Sequence, residues 1–212
     1  VRRIFPRVLA LLFALSGVGV AQARGGAPVS AGGPLSGFAG QRVLVVPVQG
    51  YRADSGVTPT AAMWDGMRRA LDDSLGAAIA ATGIGKGWGY AADVVRSAKR
   101  NVMYTGDPYA LGTKSLASVT LKGGDQLPEI VASNLRPLIA LGDTRLALLP
   151  VQLTVERQGA RQRARLRLVL VDGRGSTVLW VGEVFGDAVA SASDPLLFSS
   201  LVTQVAALAA PR

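Results

Sequence analysis

Hydrophobic and polar residues alternate most regularly over residues 145–185. Val151, Leu153 and Val155 alternate with Gln152, Thr154 and Glu156. Ala164, Leu166, Leu168 and Leu170 then share one parity, and Arg161, Arg163, Arg165 and Arg167 the other. A period of two sends successive side chains to opposite sides of a strand, so each run should turn one face to a core and one to water. A third run, 178–184, is rich in Val and contains Trp180. The link 157–160 is polar and carries Gly159. The link Asp172-Gly173-Arg174-Gly175 is a hairpin signal, with Gly expected to supply positive φ. Three antiparallel strands in a meander are predicted, with helices on the apolar face.

Upstream, Val43 to Val48 is apolar on both parities, as in a strand covered on both sides. Pro47 lacks an amide hydrogen and favours a strand end or an edge. Thr58-Pro59 reads as a helix start, followed by the stripe Trp64, Met67, Leu71, Leu75, Ala78 and Ile79. Asp65 with Arg69, and Arg68 with Asp72, fall at ion-pair spacing on the other side. A second helix is expected over 91–101, with Val94, Val95 and Ala98 inward. A weak one should run from Asp107-Pro108 to about Leu116. Another opens at Pro128, with Ile130, Val131, Leu135, Leu138 and Ile139 buried and Pro137 kinking or splitting it. Asp194-Pro195 starts a terminal helix that buries Leu197, Leu201, Val205 and Leu208. The predicted class is α/β, an α+β sandwich. Its mixed sheet should have about four to five strands, with helices packed mainly on one face.

The N-terminus supplies an address. Arg2, Arg3 and Arg7 precede the apolar run 8–20, and Ala21-Gln22-Ala23 offers small residues at the positions a signal peptidase reads. Residues 1–23 are therefore expected to be a Sec-type signal peptide directing the chain to the periplasm. Residues 24–40, rich in Gly, Ala and Pro, read as a flexible linker, and residues 41–212 as a single α/β domain. Membrane association is expected only if the N-terminal segment stays uncleaved.

Composition excludes much chemistry. The 212 residues contain no Cys and no His. That removes disulfides, thiolate metal sites, Cys nucleophiles and the commonest general base and metal ligand. No catalytic, cofactor or metal-binding residue is assigned. Residues 83–89, GIGKGWG, lack the Ser or Thr after Lys86 that a phosphate loop needs, and a helix rather than a strand precedes them. Asp72-Asp73 points apart on a helix and reads as a solvated face. Ser97 and Lys99, two apart on a helix, do not face each other. The net charge is +9. The row Arg161, Arg163, Arg165, Arg167 is the main surface feature. It reads either as an exposed strand face that resists aggregation or as a docking surface for an acidic partner, lipid headgroup or polyanion. Nucleic acid is not an expected partner, because no aromatic residues interleave with this row.

The strand Val43 to Pro47 and the hairpin carrying Asp172, Gly175, Val178, Leu179 and Trp180 resemble the small α/β domain shared by the TolB N-terminal domain and the CsgG- and LpoB-like envelope proteins. The resemblance implies a non-catalytic periplasmic module that binds other envelope proteins. CsgG and LpoB are typically lipid-anchored through a lipobox Cys, which this chain lacks. An exported carrier of a small ligand and a carboxylate-based hydrolase are the alternatives. A carrier should show an enclosed apolar cavity, and a hydrolase two acidic side chains in one pocket.

Overall fold

The computed structural model describes residues 33–54 and 59–210. The signal-peptide expectation lies outside these residues. One mixed sheet organises the chain. Three long strands, β3 (Leu146–Gln158), β4 (Arg161–Asp172) and β5 (Thr177–Phe185), form the antiparallel meander. On the other side of β3, two short parallel strands, β1 (Val43–Val45) and β2 (Tyr51–Ala53), lie end to end. They act as one interrupted edge strand with Pro47 at the break, where its missing amide costs nothing.

Five helices flank the sheet: α1 (Ala61–Ala81), α2 (Ala91–Arg100), α3 (Lys114–Ser118), α4 (Glu129–Leu141) and α5 (Leu196–Ala209). α1 and α5 roof the face that carries Leu148, Leu153, Leu166, Leu168 and Leu170. The opposite face is covered over one half only. There α2, α3 and α4 pack Val94, Leu116, Val131 and Leu135 against Ala147, Leu149, Val169, Val171 and Val178. A bulge sets the border. Pro150 pairs with Leu168 but Gln152 with Arg167, so Val151 has no opposite number. The shift keeps Leu153 and Val155 in the α1–α5 core and sends Gln152, Thr154 and Glu156 to the uncovered half.

Several local expectations are corrected. Thr60 rather than Thr58 caps α1, accepting from Met63 N–H at 3.3 Å. In the stretch expected as linker, Leu35 is fully buried and its amide bonds to Leu208 O at 3.0 Å, so residues 33–35 are held against the end of α5. The helix expected from residue 107 is a turn, with Asp107 accepting from Tyr109 N–H. Helix begins only at Lys114, after Gly112 at φ 79°. α4 runs unbroken through Pro137, since the carbonyl freed by the proline belongs to exposed Ser133. Ile130 lies outside, and Ala132 takes its place in the buried stripe. In α5, Ala209 rather than Leu208 completes the steps of four.

Candidate functional site

The arginine row is neither free nor fully exposed. Counting from the Gly159 turn, Glu156 on β3 stands opposite Arg163, and Thr154 opposite Arg165. On β5, Glu183 stands opposite Arg167 and Phe185 opposite Arg165. Arg165 bridges both acids, at 2.5 Å from Glu156 and 2.9 Å from Glu183. Arg163 reaches Glu156 at 3.4 Å and stacks on the Phe185 ring at 4.3 Å. Arg167 reaches Glu183 at 3.1 Å and donates to Val119 O at 2.7 Å, closing the border with α3. Burial pulls the Arg165 guanidinium downward, but Glu183 and then Glu156 outweigh it and hold it above its ordinary value. Arg161, opposite Gln158, makes no ion pair among the described residues and is exposed. Three arginines and two glutamates thus form a half-buried lattice across three strands, and the like-charge penalty expected of the row is relieved by its neighbours.

The lattice ends at β5, the last strand. Its outer edge is covered only at its start, where Gly124 N–H donates to Val178 O and Val178 N–H to Asp125 O. From Leu179 to Phe185, no strand pairs with this edge among the described residues, and Leu179 and Phe185 are exposed. A second bulge leaves Leu179 unmatched between Val178 and Trp180. Trp180 turns to the α1–α5 side and lies over Gly182, where a Cβ would meet its ring at 2.2 Å. Asp172 pairs with Arg145, which holds its carboxyl below the ordinary value despite some burial, and also accepts from Arg174 N–H at 3.0 Å. Ser176, at φ 51°, takes the left-handed position of this turn; neither Gly173 nor Gly175 does. Gly173 is needed for space, since a Cβ there would meet Ile139 Cδ1 at 2.2 Å. Asp172 and Trp180 therefore shape the hairpin, while Gly175 does not take its left-handed position.

Residues 83–89 fold against β1. Gly89 bridges Leu44, Trp88 is buried, and Tyr90 Oη donates to Gly85 O at 3.2 Å. Ser97 and Lys99 line different cavities.

The Asp72-Asp73 expectation is half corrected. Asp73 is exposed, but Asp72 is buried, at 6% exposure. The cause is α1 itself. Asp72 and Gly76 share a column that faces α2, and a Cβ on Gly76 would meet the Tyr90 ring at 3.3 Å. Around the break in the edge strand, the amides of Val46 and Gln49 bond to β3. Val48 N–H points the other way and donates to Asp72 Oδ1 at 2.8 Å. Asp72 Oδ2 is buried with no partner. Arg68, the expected ion partner, pairs instead with Asp65 at 2.6 Å and stacks on Tyr109 at 3.8 Å. Burial raises the Asp72 carboxyl to about 7, against the Val48 hydrogen bond and the Arg68 charge; Asp73 adds to the rise. Asp72 and Asp73 both line a cavity of about 350 Å³ between α1 and α2, closed at one side by Tyr109. Sequence reasoning missed this. The readable signal was Gly76, one turn after Asp72, which marks a close approach by another element.

A cleft of about 620 Å³ lies beside β2 and is lined by Tyr51, Trp64, Lys114 and Gln152. Among the described residues, no helix is long and apolar enough to cross a membrane, and no group of His, Cys, Asp and Glu side chains could hold a metal ion.

No known family's sequence model matches the chain, and no curated protein does. The chain is similar to several solved structures. A PelC dodecamer from Paraburkholderia phytofirmans is 16% identical, with 85% of this chain and 95% of that one covered and a TM-score of 0.41. Lipoprotein GNA1162 from Neisseria meningitidis is 18% identical, with 78% and 94% covered and a TM-score of 0.38. The LpoB C-terminal domain from Salmonella enterica is 16% identical, with 72% and 84% covered and a TM-score of 0.34. LpoB, one of the families that the hairpin and first strand resemble, is thus among these distant likenesses.

Proposed function

We propose that this chain is an exported, non-catalytic module of the bacterial cell envelope that holds another envelope protein against the uncovered half of its sheet. The observation that carries the reading is the position of β5. Among the described residues its outer edge is unpaired from Leu179 onward, exposed apolar side chains stand at both ends of that stretch, and the arginine–glutamate lattice lies beside it. An exposed sheet edge offers backbone donors and acceptors to an incoming strand, and the neighbouring side chains select the partner. Arg161 extends the row with a positive charge that has no ion partner among the described residues, which suits an acidic partner segment. Export rests on the N-terminal pattern of arginines, apolar run and Ala-Gln-Ala.

A photo-crosslinking amino acid placed at Leu179, at Phe185, and at exposed Ala77 on α1 tests the reading in intact cells. The expected result is a discrete protein adduct from positions 179 and 185 and none from 77. Adducts of equal yield from all three positions, or none from 179 and 185, would remove the β5 surface.

A further inference from the structure

The sheet-edge reading makes no use of the turn that leaves α2. Val102, Met103 and Tyr104 are the three most exposed large apolar side chains among the described residues, at 70%, 88% and 77% exposure, and they are consecutive. The turn that carries them is fixed. Asn101 ends α2: its backbone N–H donates to Ala98 O at 2.9 Å and its side-chain Nδ2 to Ser97 O at 2.8 Å. Asn101 O accepts from Tyr104 N–H at 2.9 Å and from Thr105 N–H at 3.1 Å. None of these bonds uses a side chain of residues 102–104. A turn whose only task is to reverse the chain is ordinarily built from Gly, Asn, Asp and Ser. Single exposed apolar residues are common on any protein, but three in a row on a fixed turn form a patch.

The charges beside this patch are unequal. Lys99 and Arg100 stand in the last turn of α2, are exposed and make no ion pair among the described residues. Arg96, further back, is matched by Asp93 at 2.8 Å. The acid beyond the turn is Asp107, whose Oδ1 accepts from Tyr109 N–H at 2.9 Å. Two unmatched cations therefore flank the apolar tip, against one carboxylate. Complementing the helix dipole accounts for cations at this end of α2, but not for the apolar residues that follow them.

The size of the patch selects its partner. Three such side chains expose on the order of 400 Å² together, about half of what one partner contributes to a stable protein interface. A lipid surface sets no such minimum, because it closes around a small tip. Apolar side chains enter it by about 5–10 Å, and Tyr is favoured at the headgroup level. Lys and Arg one helical turn behind, about 5 Å, fall at the depth of the phosphates.

We propose that the turn Val102–Tyr104 is a membrane contact, entering the headgroup region of an anionic bilayer with Lys99 and Arg100 on the lipid phosphates. The contact is reversible, since a small apolar tip with a basic flank gives no lasting anchor, and it does not require the N-terminal segment to stay uncleaved.

The chain has no cysteine, so one introduced thiol carries a single polarity-sensitive fluorophore. G106C puts it beside the tip, where a Cβ meets nothing within 4 Å, and T203C puts it at an exposed position of α5, on the other side of the sheet. Each labelled full chain is titrated with phosphatidylcholine vesicles, with and without about 30% phosphatidylglycerol. The dye at 106 should shift to the blue on anionic vesicles, at least about fivefold more weakly on neutral ones, and the dye at 203 should not shift. In the G106C background, M103S/Y104S and K99E/R100E, all at exposed positions, should each weaken the response by about tenfold or more. No shift at 106, an equal shift at 203, or a shift that survives either pair of substitutions would overturn the proposal. A shift at 106 with envelope proteins but not with vesicles would overturn it too, and assign the tip to a protein partner.

Discussion

Two regions of the molecule that shelter charge treat it in opposite ways. On the open half of the sheet, Arg163, Arg165 and Arg167 share Glu156 and Glu183, and each guanidinium has an acid within 3.4 Å. Between α1 and α2, Asp72 is more deeply buried and has a single neutral donor, Val48 N–H. The first arrangement lowers the electrostatic cost of a strand face that is only half covered. The second leaves a carboxylate where its charged form is disfavoured. Paired burial of this kind is architecture, while a buried carboxylate with one neutral donor is a cost that the rest of the fold must offset.

The largest effect expected from this contrast is in pH dependence. The folded-state pKa of Asp72 lies above its unfolded value, at about 7 against 3.8. Between those values the folded chain holds more protons. Stability is therefore fully present below about pH 4 and is lost as pH rises through about 7, by roughly 4 kcal/mol in all. The charged groups acting on Asp72 are Arg68, which moderates the shift, and Asp73, which adds to it. Tyr109, Arg69, Arg96 and Lys99 surround the same cavity. Denaturant unfolding between pH 4 and 9 should show this slope, and D72N should flatten it. Asp172, held low by Arg145, acts with the opposite sign: its contribution is present above the ordinary carboxyl range and is lost as pH falls.

Next in size is the lattice. E183Q leaves Arg165 and Arg167 half-buried without that carboxylate, and should lower unfolding stability by about 2 kcal/mol. Added salt should not restore it, because the pairs are sheltered. A loss within about 0.5 kcal/mol would place the lattice with ordinary exposed ion pairs.

The contrast also shows what the sequence made readable. Strict alternation along β3 and β4 was enough to place Leu166, Leu168 and Leu170 in the core and the arginines on the other face. The partners of the arginines were within reach: once the turn is centred at Gly159 and Ala160, the register puts Glu156 opposite Arg163. Glu183 was harder, because the bulge at Leu179 shifts the second hairpin by one residue. The half-cover of the sheet went unread, since it depends on the bulge at Val151, and the one mark of that bulge is Pro150, a residue without an amide hydrogen inside a central strand. Asp72 was misplaced for a different reason. Its spacing from Arg68 is that of a surface ion pair, and only the approach of Tyr90 to Gly76 makes that column an inner one. Leu35 and Phe38 were the large apolar residues among Gly- and Ala-rich neighbours that could have signalled packing.

Smaller effects test the hairpin and the rim. S176G removes a Cβ from a residue at φ 51° and should raise stability by about 0.5 kcal/mol in thermal or denaturant unfolding. R161E, at an exposed position without an ion pair, should change stability by less than about 0.5 kcal/mol. It should nonetheless weaken the crosslink from position 185, since it reverses a charge that lies beyond the Phe185 end of β5. An unchanged crosslink would leave β5 without help from the arginine row.

The separation of paired from unpaired charge is most directly measured at Asp72 itself. Carbon-13 NMR of the aspartate and glutamate carboxyl groups, followed from pH 3 to 9, should show the Asp72 resonance titrating near 7. Asp172 should titrate below the ordinary carboxyl range in the same experiment. An Asp72 midpoint near 4, in the range of solvated carboxylates, would contradict the account.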